Sequence, residues 1–164
     1  MFYLDLFQAL DRENVRYVLI GGLALNVHGV ERATMDVDLM LALDAGNLAA
    51  FTRAAESLRM QPVLPVSLKD FADPAMLRRW IDEKHMLAFA LRPEEASAPT
   101  VDILVQPRVS FDDAWARRVE KDLAGIRVHL AHIDDLIALK TGTGRQRDAS
   151  DIAALERLMK LRRE

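Results

Sequence analysis

The sequence predicts an α/β (α+β) fold, a mixed β-sheet flanked by helices and completed by a helical C-terminal segment. Three observations lead there. Short apolar runs rich in Val, Ile and Leu alternate with longer stretches of helical period. Two of these runs, 86–91 and 100–105, are separated only by a Pro-Glu-Glu-Ala-Ser-Ala-Pro turn, which suits an antiparallel hairpin rather than a parallel crossover. The 164 residues, 51% apolar and 29% charged, suffice for one domain over 1–164, with a core at about 15–130 and helices at about 131–164.

Each element has its own signal. Phe2, Leu6, Ala9 and Leu10 share one stripe, so Phe2 to Arg12 reads as an amphipathic helix that Asn14 closes. Val15 to Ile20 is a short apolar strand, and Gly21-Gly22 turns it into a helix, Leu23 to Val27, ended by His28-Gly29. Met35 to Leu43 is the second strand. Asp44 to Asn47 supplies a turn and cap for a helix over Leu48 to Arg59. Pro62 and Pro65 then break any helix, Ser67 to Phe71 makes one turn, and Pro74 opens a helix through Ile81. Met86 to Leu91 and Thr100 to Val105 are strands, Ser110 caps a helix over Phe111 to Val119, and Ile126 to Leu130 is the last strand. Helices at His132 to Thr141 and Ala149 to Arg162 are joined by the Thr141-Gly142-Thr143-Gly144 break.

Bulk properties narrow the function. No apolar run is long enough to span a bilayer, so no membrane partner is expected. Met1 to Asp5 carries no basic region or small-residue cleavage site, and there is no cysteine. The expected setting is cytoplasmic. Disulfides, thiolate metal sites and cysteine nucleophiles are excluded. A net charge of −3 gives no basic excess of the kind non-specific polynucleotide binders carry.

The chemistry concentrates in Thr34-Met35-Asp36-Val37-Asp38. On a strand, Asp36 and Asp38 project from one face while Val37 and Leu39 point to the other. Two adjacent anions cost desolvation and repulsion, which a divalent cation relieves. Strand neighbours lie about 4.8 Å apart and i, i+2 positions about 6.6 Å apart. A facing Asp102 on the third strand therefore converges with Asp36 and Asp38 on two cations about 4 Å apart. Hard oxygen ligands without a histidine pair select Mg²⁺ or Mn²⁺ over Zn²⁺. Asp102 serves alternatively as a general base. At Gly21-Gly22, free N–H groups at a helix start and absent Cβ atoms favour a phosphate. The bland alternatives are a plain turn for the glycines and solvent-facing carboxylates on a half-exposed strand.

Taken in order, Tyr17 to Gly22, His28-Gly29, Arg32, Thr34, Asp36-Val37-Asp38-Leu39, Val101-Asp102-Ile103 and Leu139-Lys140 with Arg145, Asp148 and Asp151 resemble the DNA polymerase β-like nucleotidyltransferase superfamily. The likeness is to its small bacterial members, the minimal and abortive-infection-type nucleotidyltransferases. The resemblance implies a nucleotidyltransferase core in which Asp36, Asp38 and Asp102 are catalytic and ligate metal. It further implies a nucleotide held by Gly21, Gly22, Thr34, Lys140, Asp148 and Asp151. The reaction implied moves an NMP from an NTP to an acceptor hydroxyl, with pyrophosphate released. The acceptor is a tRNA end, a protein or a small molecule, and a toxin–antitoxin or defence role with an antitoxin partner is among the expectations. Many members carry Gly-Ser where this chain has Gly21-Gly22, which leaves Thr34 as the nearest hydroxyl in sequence.

Structural accounts compete at several positions. Lys140 also suits a helix C-terminus, and Asp148 and Asp151 suit a helix N-terminus. His28 is expected to be structural, and Trp80 and Trp115 to be core or interface anchors. Arg32 and Thr34 are candidates for orienting the aspartates. A catalytically silent nucleotide- or partner-binding relative is the alternative function, with a two-metal phosphohydrolase behind it.

Overall fold

The computed structural model describes residues 1–163. Helix α1 (Phe2–Arg12) leads into strand β1 (Tyr17–Ile20), and α2 (Gly21–His28) follows without a break. Then come β2 (Val37–Leu41), α3 (Ala45–Ser57), β3 (Gln61–Pro62), α4 (Leu68–Phe71), α5 (Pro74–Lys84), β4 (Ala88–Arg92) and β5 (Val101–Leu104). The chain continues with α6 (Phe111–Arg117), β6 (Val119–Leu123), β7 (Ile126–Leu130), α7 (Ile133–Lys140) and α8 (Gln146–Arg163). No helix among the described residues is long and apolar enough to cross a membrane.

The strands form one mixed sheet in the order β3-β4-β5-β2-β1-β7-β6. As the short turn between them suggests, β4 and β5 pair antiparallel. The pairs β2–β5 and β1–β7 are parallel, and β1–β2 is antiparallel although α2 lies between them in sequence. Register puts Ile20, Asp38, Asp102 and Ala90 in one row across β1, β2, β5 and β4. Side chains alternate along each strand, so Leu39, Ile103 and Phe89 occupy the opposite face. There Phe89 stacks on Phe71 with centroids 4.2 Å apart and on Trp80 at 5.8 Å, while Phe51 meets Phe71 edge-on. One face of the sheet is thus sealed by the aromatic cores of α3, α4 and α5. The other face carries the carboxylates.

Three expectations are corrected. Strand β2 begins at Val37 rather than Met35, since Val37 N–H to the Thr100 carbonyl is the first bond to β5 and the Met35 carbonyl is taken by the Tyr3 hydroxyl. Asp36 therefore stands just before the strand, not in it. Strands β3 and β6 went unpredicted. The sequence pattern carries the preceding helix to Val119 and assigns nothing to Glu120–Leu123, yet Val119–Leu123 pairs with β7 through a two-residue turn at Ala124-Gly125, both with positive φ, the geometry of tight hairpins. Helix α8 starts at Gln146, three residues early, so Asp148 lies in its first turn rather than ahead of it.

Candidate active site

The site is built where β1 ends and β2 and β5 begin. Ile20 pairs with Asp38, so the Gly21-Gly22 turn is delivered directly beside that carboxylate. Gly21 has φ +71°, and a Cβ there would overlap the Asp38 carboxylate. A Cβ at Gly22 would overlap the Arg32 guanidinium and come within 2.7 Å of the Thr34 hydroxyl. The glycines are required by what crowds onto them, not only by the turn. Gly21→Ala is accordingly expected to cost about 1–2 kcal/mol from the backbone alone, with a further loss from displacing Asp38. Urea unfolding together with a titration of divalent cation measures both.

Asp38 and Asp102 are register partners on parallel strands and face the same way. Burial pushes Asp38 up to about 6, with Asp102 and then Asp36 adding repulsion and Lys140 and Arg32 opposing it. Asp102 is raised as well, by burial first and then by Asp36. The nearby cations are engaged elsewhere. Arg32 Nε meets Asp151 Oδ1 at 3.2 Å, and Lys140 Nζ lies 3.2 Å from Asp148 Oδ1 and 2.9 Å from Asp151 Oδ2. Three repelling carboxylates are left with two cations that already have partners. Hard oxygen donors in that state are the chemistry a Mg²⁺ or Mn²⁺ ion satisfies. Among the described residues, no three such side chains are gathered closely enough to form a finished metal cage.

Lys140, Asp148 and Asp151 do come together, about a hundred residues after the glycines, because α7 and α8 fold back toward β1 and β2. Asp148 also accepts from Thr143 and Arg145, at 2.7 Å each. Burial works to raise it, but the bonds from Thr143, Lys140 and Arg145 prevail and hold it below the usual carboxylate range. Asp148 and Asp151 are buried, 4% and 5% exposed, so any effect on a nucleotide passes through Lys140 and Arg32. Helix α8 also clips the end of α2 and the loop that follows it. Arg147 donates to the Ala33 carbonyl at 2.8 Å and Arg162 to the His28 carbonyl at 2.6 Å.

His28 is structural, as expected. Its ring lies 2.8 Å from the Ala131 carbonyl, and burial lowers its pKa, so the neutral ring donates through Nε2. Trp80 packs in the core, and Trp115 carries the Arg118 guanidinium 3.6 Å over its ring.

The chain as a whole resembles known proteins. A family model described as "Nucleotidyltransferase of unknown function (DUF6036)" matches residues 3–161. The chain belongs to that nucleotidyltransferase family.

Solved structures share the fold at low identity. A lincosamide antibiotic adenylyltransferase, LnuA, bound to lincomycin is 15% identical with a TM-score of 0.59, covering 96% of this chain and 94% of its own. The enzyme ANT(2")-Ia, in complex with adenylyl-2"-tobramycin, is 14% identical with a TM-score of 0.57 over 98% and 92%. An antigenic nucleotidyltransferase-like protein from Paracoccidioides brasiliensis is 21% identical with a TM-score of 0.57 over 95% and 72%. No curated protein sequence matches.

Within this nucleotidyltransferase, sequence reasoning missed the Arg32–Asp151 pair and the two arginine clips from α8. The one local signal was the i, i+3 acidic pair Asp148 and Asp151, which places both carboxylates on one side of a helix.

Proposed function

We propose that this nucleotidyltransferase transfers a nucleoside monophosphate from an NTP to an acceptor hydroxyl and releases pyrophosphate. The observation that carries the reading is the row Ile20–Asp38–Asp102. It sets two raised-pKa carboxylates without ion-pair partners among the described residues directly against a glycine turn at a helix start. Asp36, Asp38 and Asp102 would hold Mg²⁺ or Mn²⁺, which supplies charge neutralisation at the transferring phosphoryl group. Backbone N–H groups at the first turn of α2, which opens at Gly21 and Gly22, suit phosphate oxygens. The Thr34 hydroxyl stands over the same turn. Asp102, raised by burial and by Asp36, suits a base for the acceptor hydroxyl. Lys140, with Asp148 and Asp151 behind it, places a cation on the Asp38 side of the site.

Acceptors of three kinds remain in the proposal: an RNA end, a protein side chain and a small-molecule hydroxyl. The small molecule is favoured by the neighbours. This chain covers nearly the whole of two antibiotic-modifying folds, so acceptor recognition there needs no large additional domain.

The test incubates the purified protein with each α-labelled NTP, Mg²⁺ and separate RNA, protein and small-molecule fractions. Label should enter one fraction with equimolar pyrophosphate, and excess chelator should stop it. No label in any fraction with any NTP would leave the silent relative as the better reading. Free NMP in place of labelled acceptor would indicate a phosphohydrolase.

A further inference from the structure

We propose that Arg32 is the triphosphate-binding side chain of this site, and that Gly22 is glycine because the Arg32 guanidinium occupies the space a side chain would take. The inference rests on the nucleotide-transfer reading and adds the residue that grips the anion.

The guanidinium lies over the first turn of α2, with Nη1 2.0 Å from the point where a Gly22 Cβ would stand. Its position is fixed from several sides. The Arg32 carbonyl accepts from Asn26 Nδ2 at 3.0 Å, and Nε is held by Asp151 at 3.2 Å. Asp151 is itself buried and is held by Lys140. This anchoring engages one edge of a planar fork. The remaining N–H donors of the terminal nitrogens project over the helix start, where free backbone N–H groups already favour an anion.

The two cations near Asp38 differ in what they have left to offer. Lys140 has three donors, and two carboxylates within 3.2 Å engage its ammonium. Arg32 has five donors and one carboxylate partner. A guanidinium also matches a phosphate bidentately, which an ammonium does not. Its side chain is 14% exposed, so it keeps some contact with solvent while standing in a largely desolvated setting that strengthens a charged contact. Asp151 is then a positioning residue that aims the fork.

The competing account makes Arg32 a structural tie between the α2–β2 loop and α8. Arg32→Lys separates the two, because lysine keeps a cation for Asp151 and loses the second edge. Tripolyphosphate with Mg²⁺ serves as a probe that lacks base and sugar, read by calorimetry alongside all four NTPs. Arg32→Lys and Arg32→Ala should each weaken tripolyphosphate binding by about tenfold or more, with KM for NTP rising more than kcat falls. Gly22→Ser alone should also weaken binding, since its Cβ collides with the guanidinium. In Arg32→Ala the collision with the guanidinium is gone and the Thr34 hydroxyl, 2.7 Å from a Gly22 Cβ, still opposes a side chain, so Gly22→Ser should weaken binding less there than in the unaltered protein. Arg32→Lys that binds tripolyphosphate as tightly as the unaltered protein overturns the proposal and leaves the transfer reading intact. So does a Gly22→Ser substitution that weakens binding as much in Arg32→Ala as in the unaltered protein. An unaltered protein that binds neither tripolyphosphate nor any NTP overturns both.

Discussion

Replacing Asp38 by asparagine is expected to lower nucleotidyl transfer by about a thousandfold or more and, at the same time, to make the cation-free protein more stable. The first effect follows if Asp38 contributes several kcal/mol of metal-mediated charge stabilisation in the transition state. The second follows from the sign of its shift. An aspartate ordinarily near 3.8 that is pushed up to about 6 keeps its proton in the folded chain and loses it earlier in the unfolded one. Between about pH 4 and pH 6 the folded state therefore binds more protons, and stability falls as pH rises. Above about pH 6 the full penalty is present, of order 2 kcal/mol once solvent screening of a partly exposed carboxylate is allowed for. Asp38→Asn removes that penalty. Urea melts of chelator-treated protein should show the variant more stable at pH 7.5 and the two proteins converging near pH 4. A variant equally stable at both pH values would mean that no charge stress exists at this position. A stable variant that still transfers nucleotide would remove Asp38 from the catalytic set.

Lys140→Met should act in the opposite direction, costing about 3 kcal/mol. The ammonium is shared by Asp148 and Asp151, whose side chains are only 6–7% exposed, and removing one member of a buried pair leaves uncompensated charge behind. Adding Asp151→Asn to Lys140→Met should cost less than the two single substitutions summed, because the Lys140–Asp151 contact is lost only once. Sign matters here as well. Asp148 is held below its usual range, so the stability it brings is present above its ordinary value and is lost as pH falls through the lowered one. The Asp38 and Asp148 contributions thus slope in opposite senses on the acid side. Denaturant midpoints of the single and double variants measure the coupling directly, and additive effects would mean that the network is not one unit.

Much of the fold was legible because its signals are local. The Phe2–Arg12 stripe gave α1 to the residue, and an apolar run bounded by turn residues gave β7 as Ile126–Leu130. The elements that escaped lacked such a signal. Strand β3 is two residues long and half proline, and β6 is a polar edge strand whose exposed residues carry no hydrophobic alternation. At the site, the glycine turn and the three aspartates were each visible as residue types in a suggestive order. Their partners were not visible, because the pairing of Arg32 with Asp151 joins positions more than a hundred residues apart and leaves no period or spacing in the chain.

By itself the sequence determined the mixed α/β class, the extent of α1 and β7, and the carboxylate-rich, glycine-flanked region proposed as the site. These depend on short-range preferences of side chain and backbone. Tertiary structure alone decided that Asp38 and Asp102 stand in the same row, that Asp36 sits outside the strand, and that Asp148 and Asp151 serve Lys140 and Arg32 from behind. Strand register and helix docking are set by how whole faces bury against one another, and that balance is struck across the entire core rather than within any one segment.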